Sequence, residues 1–214
     1  MLLALACVFA PFLGRAQDQP VKEERPVKIV VLGDSLAAGY GLSADEAFPA
    51  KLDKALKAKG IAATIVNAGV SGDTASGGFD RVDWSVPPGT DAVIVELGAN
   101  DMLRGIDPQI TKAALGKILD RLAERHISVL LAGMKAAHNM GSDYSKAFDA
   151  IYPALASTHS LVFYPFFLDG VATDDKLNQI DGIHPTAAGV DMIVSRILPQ
   201  VEALIARVRA ARGS

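Results

Sequence analysis

Several absences narrow what this 214-residue chain can be before any motif is read. Cysteine occurs once, at Cys7, so no internal disulfide can form and stability has to come from buried apolar surface. Basic residues are scattered rather than clustered, and 21 Lys and Arg against 24 Asp and Glu leave a formal charge of −3, which offers no footprint for a nucleic-acid partner. Apolar runs are short. The one at the N-terminus, Leu2 to Leu13, falls below the ~20 residues that a bilayer-spanning helix requires. No internal repeat or low-complexity segment is present, and the length suits one domain with a well-buried core rather than two.

What is there begins with that N-terminal run, which ends in the small-residue pattern Gly14-Arg15-Ala16 and reads as an export signal over residues 1–16. A polar linker follows at 17–26, and residues 27–214 form the domain. Cleavage after Ala16 removes Cys7 and Arg15, leaving 20 basic against 24 acidic residues and a charge of −4. The expectation is an exported protein, periplasmic or secreted, with no stable membrane insertion after cleavage.

Five runs rich in Val, Ile and Leu read as strands: Val27–Leu32, Ala62–Val66, Asp91–Leu97, Ile127–Gly133 and Ser160–Phe163. Their continuous apolar character fits strands covered on both faces. Between them, Phe48, Leu52, Ala55 and Leu56 recur at helical spacing, with Pro49 tolerated in a first turn. Asp107 and Pro108 form an N-cap and N1 pair leading into Ile110, Ala114, Ile118 and Leu122. A further helix is expected over Ser142–Ala156, and a last one carries an apolar stripe from Val190 to Val208 with a kink or break at Pro199. Alternating strands and helices imply right-handed crossovers, hence a five-stranded parallel sheet in a three-layer α/β/α sandwich. In such sheets ligands bind outside the carboxyl ends of the strands.

Three of those ends carry small and polar residues: Gly33-Asp34-Ser35, "NAGVSGDT" from Asn67 to Thr74, and "GAND" from Gly98 to Asp101. Ser35 by itself reads equally well as a turn residue. A serine hydroxyl is a poor nucleophile at its free pKa and needs a base with something to orient it. Of the four histidines, His126 and His159 fall at the opposite end of the sheet, and His138 follows the fourth strand with no acid in an orienting position. His184 sits in "NQIDGIHPT" with Asp181 three residues earlier, a spacing that brings both onto one side of a turn; Pro185 starts the last helix. The Ser35 N–H, the Gly72 N–H and the Asn100 amide are candidate donors to an oxyanion, although Gly72 and Asn100 also suit plain turns. The order Ser, Asp, His and the near-elbow "GDSLA" also occur in α/β-hydrolases, but those build several strands before the nucleophile and here only one precedes it.

Taken together, "GDSLAAGYGL", "NAGVSGDT", "GAND" and "DGIHPTAAG" resemble the four sequence blocks of the GDSL, or SGNH, hydrolases. "PFFLDGVA" and "LNQIDGIHP" are similar to the final loop of the secreted branch with acyl-CoA thioesterase I, lysophospholipase and arylesterase activities. The resemblance implies a flavodoxin-like sandwich and a cofactor-free serine hydrolase with Ser35 as nucleophile, His184 as base then acid, and Asp181 as its orienter. Ser35, Gly72 and Asn100 would then form the oxyanion hole. It implies hydrolysis of small ester or thioester substrates through an acyl-serine intermediate, with neutral His184 required and no metal expected. Met134, His138 and Tyr144, in the loop after the fourth strand, are candidate substrate contacts together with Phe148 and Phe166–Phe167, and the Phe residues would serve equally well in the core. Two alternatives remain open: a carbohydrate O-acetyl esterase with the same triad, and a non-catalytic binding module.

Overall fold

The computed structural model describes residues 25–213, so the expected export signal and most of the expected linker lie outside the described residues. Five strands, β1 (Val27–Gly33), β2 (Ala63–Gly69), β3 (Ala92–Glu96), β4 (Ser128–Ala132) and β5 (Val162–Tyr164), pair in parallel in the order β2-β1-β3-β4-β5. Central β3 is buried at every residue, as its apolar run Ala92–Val95 requires, and the burial extends to Glu96 at its end. The crossovers are α2 (Phe48–Ala58) from β1 to β2, α3 (Ala75–Ser85) from β2 to β3 and α5 (Pro108–Glu124) from β3 to β4, with two short helices between β4 and β5. Short α1 (Ser35–Ala38) and α4 (Ala99–Leu103) follow β1 and β3 directly.

The chain leaves β1 toward β2, then returns past it to β3 and on to β5. Right-handed crossovers in opposite directions put their helices on opposite faces. Accordingly α2 packs with the last helix, α8 (Ala187–Gly213), on one side, and α3 packs with α5 on the other. The order reverses between β1 and β3, which opens a crevice outside their carboxyl ends. Among the described residues no helix is long and apolar enough to cross a membrane.

Asp107 caps α5, accepting a 2.8 Å hydrogen bond from the Gln109 N–H, with Pro108 at the first helical position. The helix expected over Ser142–Ala156 is two, α6 (Ser142–Asp149) and α7 (Ile151–Thr158). Pro153 causes the break: it has no N–H for the Asp149 carbonyl, and its ring crowds that carbonyl. Pro199 does not break α8, because it lies on the exposed side where water can satisfy the freed Ser195 carbonyl. Pro185 does not start that helix either. It pairs with Asn178 in an isolated antiparallel bridge, and Thr186 is the cap, its Oγ1 accepting from the Gly189 N–H. Helix α3 has little apolar periodicity to announce it, since "ASGGFDRVDWS" buries only Ala75, Gly78, Arg81 and Val82.

Candidate active site

At the carboxyl end of β1 the chain turns at once into α1, whose first residue is Ser35. Asp34 caps that helix through its Oδ1, which accepts a 3.0 Å bond from the Leu36 N–H. Gly33 is needed for a close approach rather than an unusual dihedral. A Cβ there would lie 2.5 Å from Glu96 Oε2, 2.6 Å from Ala37 Cβ and 2.8 Å from the Glu96 carbonyl oxygen.

The segment before α8 brings His184 to this serine. A tight turn closes through the Gly182 N–H donating to the Gln179 carbonyl and the Gln179 N–H donating to the His184 carbonyl at 2.7 Å. Gly182 takes a φ of +70°, which glycine adopts without penalty. Inside the turn, Asp181 Oδ1 accepts from the Ile183 and His184 N–H groups at 2.9 and 3.0 Å, while Oδ2 lies 2.7 Å from His184 Nδ1. Those two backbone donors, with the imidazole, hold the Asp181 carboxyl down at about 2, so it remains an anion facing the ring. With the Nδ1–H donating to Asp181 Oδ2, Nε2 is left as an acceptor, 3.0 Å from Ser35 Oγ. Tyr40 packs on the other side of the imidazole, ring centroids 4.5 Å apart, and Gln179 Nε2 ties the Tyr40 carbonyl to the same turn at 2.8 Å.

Around Ser35 the polar groups point the other way, as donors. Gly72, at φ +82°, is in the loop after β2, and no acceptor among the described residues takes its N–H or that of Ser35. Asn100 lies in α4 rather than in a turn, and one of its amide hydrogens goes to Asp34 Oδ2 at 3.0 Å, leaving the second free. A carbonyl carbon placed beside Ser35 Oγ would have a base on one side and these donors for its developing oxyanion.

Beneath the serine lies a second pair of acids. Glu96, fully buried at the end of β3, accepts from the Asp34 N–H at 3.3 Å, and its Oε1 meets no partner among the described residues. Burial pushes the Glu96 carboxyl well above its ordinary range, and the neighbouring Asp34 pushes it further. Burial likewise raises Asp34 to about 6, partly offset by the Leu36 N–H and the Asn100 amide. The pair therefore holds a proton on Glu96 under conditions where an exposed glutamate is ionised.

The expected substrate contacts are dispersed. Phe148 is fully buried, stacked on Tyr144 at 5.9 Å and edge-on to Tyr152 at 5.8 Å, and Met134 is buried too, so both belong to the core. Tyr144 donates its hydroxyl to the Ile106 carbonyl at 3.0 Å, and His138 is exposed in a 3-10 turn, His138–Met140. The residues gathered around Ser35 include Leu36, Tyr40, Leu42, His184 and Val190. Tyr40, Gln179 and Glu96 carried no sequence signal of their own, though Tyr40 lies inside the block that contains Ser35. No cluster of metal-ligating side chains occurs among the described residues.

Comparison with known proteins places the chain in a family. The family model described as GDSL-like Lipase/Acylhydrolase matches residues 31–192. An arylesterase of Vibrio mimicus is 37% identical over 159 residues, which is 74% of this chain and 80% of the relative. Thioesterase 1/protease 1/lysophospholipase L1 of Escherichia coli K12 is 37% identical over 178 residues, 83% of this chain and 84% of the relative. The crystal structure of AlinE4, an SGNH-hydrolase family esterase, is 45% identical and superposes with a TM-score of 0.72 over 84% of this chain and 97% of its own. Sequence blocks, sheet order and relatives thus converge: the chain belongs to the GDSL-like lipase/acylhydrolase family.

Proposed function

We propose that this chain hydrolyses aryl and short-to-medium acyl esters, acyl thioesters and lysophospholipids, using Ser35 as nucleophile, His184 as base and then acid, and Asp181 to orient it. The observation that carries the reading is the hydrogen-bonded line Ser35 Oγ, His184 Nε2, His184 Nδ1, Asp181 Oδ2, with steps of 3.0 and 2.7 Å. Ser35 Oγ attacks the carbonyl carbon while Nε2 takes its proton. The oxyanion is held by the Ser35 and Gly72 N–H groups and the Asn100 amide. Collapse breaks the bond to the alkoxide or thiolate, which leaves with the proton from His184. Water then repeats the sequence on the acyl-serine, again through His184, to release the acid.

Two further observations bear on substrate and location. Tyr40, Val70, Leu103, Ile180 and Ile183 are exposed large apolar side chains on the segments that follow β1, β2, β3 and β5, the edge that carries Ser35. Such a rim favours an apolar acyl or aryl group over an acetylated sugar. The relatives named as arylesterase and as thioesterase and lysophospholipase support the same classes. The N-terminal run Leu2 to Leu13 supports export to the periplasm or medium.

A chain-length series of p-nitrophenyl esters and acyl-CoA thioesters, run beside Ser35→Ala, tests the reading. Turnover of esters and thioesters by the wild type alone supports it. Equal turnover by the variant removes Ser35 from the mechanism, and preference for acetylated xylan over every acyl ester moves the substrate to carbohydrate.

A further inference from the structure

The oxyanion donors assigned to Ser35 and Gly72 sit on different loops, and something has to fix the distance between them. One side chain reaches both. Arg81, on the buried face of α3 and 5% exposed, spreads its guanidinium across the ends of two strands. Nη2 donates to the Gly33 carbonyl at 2.8 Å, two residues before Ser35. Nη1 donates to the Ala68 carbonyl at 2.7 Å, near the end of β2, and to Ser85 Oγ at 3.0 Å. Nε donates to Asp73 Oδ2 at 2.6 Å, the residue next to Gly72.

From this geometry we infer that Arg81 is a positioning residue that sets the spacing of the oxyanion donors by locking the end of β1 to the loop that carries Gly72. The inference rests on the reading of Ser35 as nucleophile. A guanidinium is planar and its donors point in fixed directions, so Gly33, Ala68 and Asp73 cannot shift independently while all are bound. The same loop is held from its other sides. The Val70 N–H donates to the Gly33 carbonyl at 3.0 Å, Arg104 Nη2 donates to the Gly72 carbonyl at 2.6 Å, and Asp101 accepts from the Ala75 N–H at 2.8 Å. Arg81 is the member that joins this loop to the nucleophile strand through a side chain. Burying a charged pair adds little net stability compared with apolar residues of similar size, so stability alone does not account for an arginine there. Oxyanion donors act only within a few tenths of an ångström of their working position, which does account for it.

The test compares Arg81→Met, Arg81→Lys and Asp73→Ala with the wild type on a soluble p-nitrophenyl ester, each assayed well below its own Tm. A boronic acid that binds serine as a tetrahedral adduct is titrated in parallel. We expect kcat of Arg81→Met to fall by roughly 100-fold with KM within about threefold, the scale on which misplacing a catalytic group costs rate. Boronate affinity should weaken in proportion to kcat/KM, and Arg81→Lys should recover part of both. If Arg81→Met does not fold, Asp73→Ala carries the test, because it removes the acceptor that links Arg81 to the Gly72 loop and leaves the guanidinium in place. Folded variants that lose thermal stability but keep kcat and boronate affinity within threefold of wild type would overturn the inference. Turnover surviving in Ser35→Ala is a different result, which removes the nucleophile reading itself and this inference with it.

Discussion

Replacing Asn100 with alanine separates what its amide does for the reaction from what it does for the fold. One of its N–H groups holds Asp34 Oδ2 at 3.0 Å, and the other takes no acceptor among the described residues. Loss of the free donor should lower kcat by ~10²–10³-fold, equivalent to about 2.7–4 kcal/mol of barrier, because an oxyanion donor acts where charge develops. KM should stay within about threefold, since the ground-state carbonyl makes weaker use of the same donor. Loss of the bond to Asp34 should cost about 1.5–3 kcal/mol of stability, the range for a hydrogen bond to a charged group. In a chain of this size that lowers Tm by about 3–12 °C. Steady-state kinetics on a soluble p-nitrophenyl ester, with calorimetry on the same preparation, give both numbers. A variant whose Tm drops as expected but whose kcat stays within threefold of wild type would refute the oxyanion role of Asn100 and leave it a cap for Asp34.

Two further outcomes follow from the same structure. Glu96 has a folded pKa above its unfolded value, so its contribution to stability is complete below about 4.5 and is lost as pH rises through the folded value. The isosteric Glu96→Gln should therefore lose less stability than wild type between mildly acidic and alkaline pH by urea unfolding, and parallel profiles would contradict the buried-acid account. His126 and Ser160 occupy left-handed positions (φ +54° and +51°) at the ends of α5 and α7, in the same hydrogen-bonded turn that Gly60 makes after α2. His126→Gly and Ser160→Gly should each stabilise the fold by about 0.5–1 kcal/mol in thermal unfolding, and a lower Tm for either would show that the side chain contributes more than the strain costs.

The strands were legible because each holds an apolar run, although half-exposed β2 runs on through Asn67-Ala68-Gly69, where polar and small residues read as loop. Helix α3 was not, because two of its residues are glycine and its buried face carries Arg81 in place of an apolar side chain. Gly78 is there because a Cβ would collide with the Leu97 side chain, a tertiary reason that no periodicity reveals. The spacing of Asp181 and His184 could be read as a turn placing both on one side, and their 2.7 Å contact lies within such a turn. The substrate side was harder to read. Phe148 and Met134 follow the right strand, yet hydrophobicity alone does not tell a core residue from a groove lining, and packing against Tyr144 and Tyr152 put Phe148 inside. The acids under Ser35 were hidden for a similar reason: Glu96 falls inside the run Asp91–Leu97, and nothing in the sequence marks it as buried beside Asp34.

The central claim is that Ser35 Oγ, activated by His184, forms a covalent bond with the substrate. Treating the folded protein with a fluorophosphonate and weighing it intact tests this most directly. The account predicts one phosphonyl adduct per chain, mapped to the peptide containing Ser35, formed far more slowly in His184→Ala and absent from Ser35→Ala. An unlabelled wild-type protein, or an adduct that persists in folded Ser35→Ala, would contradict it.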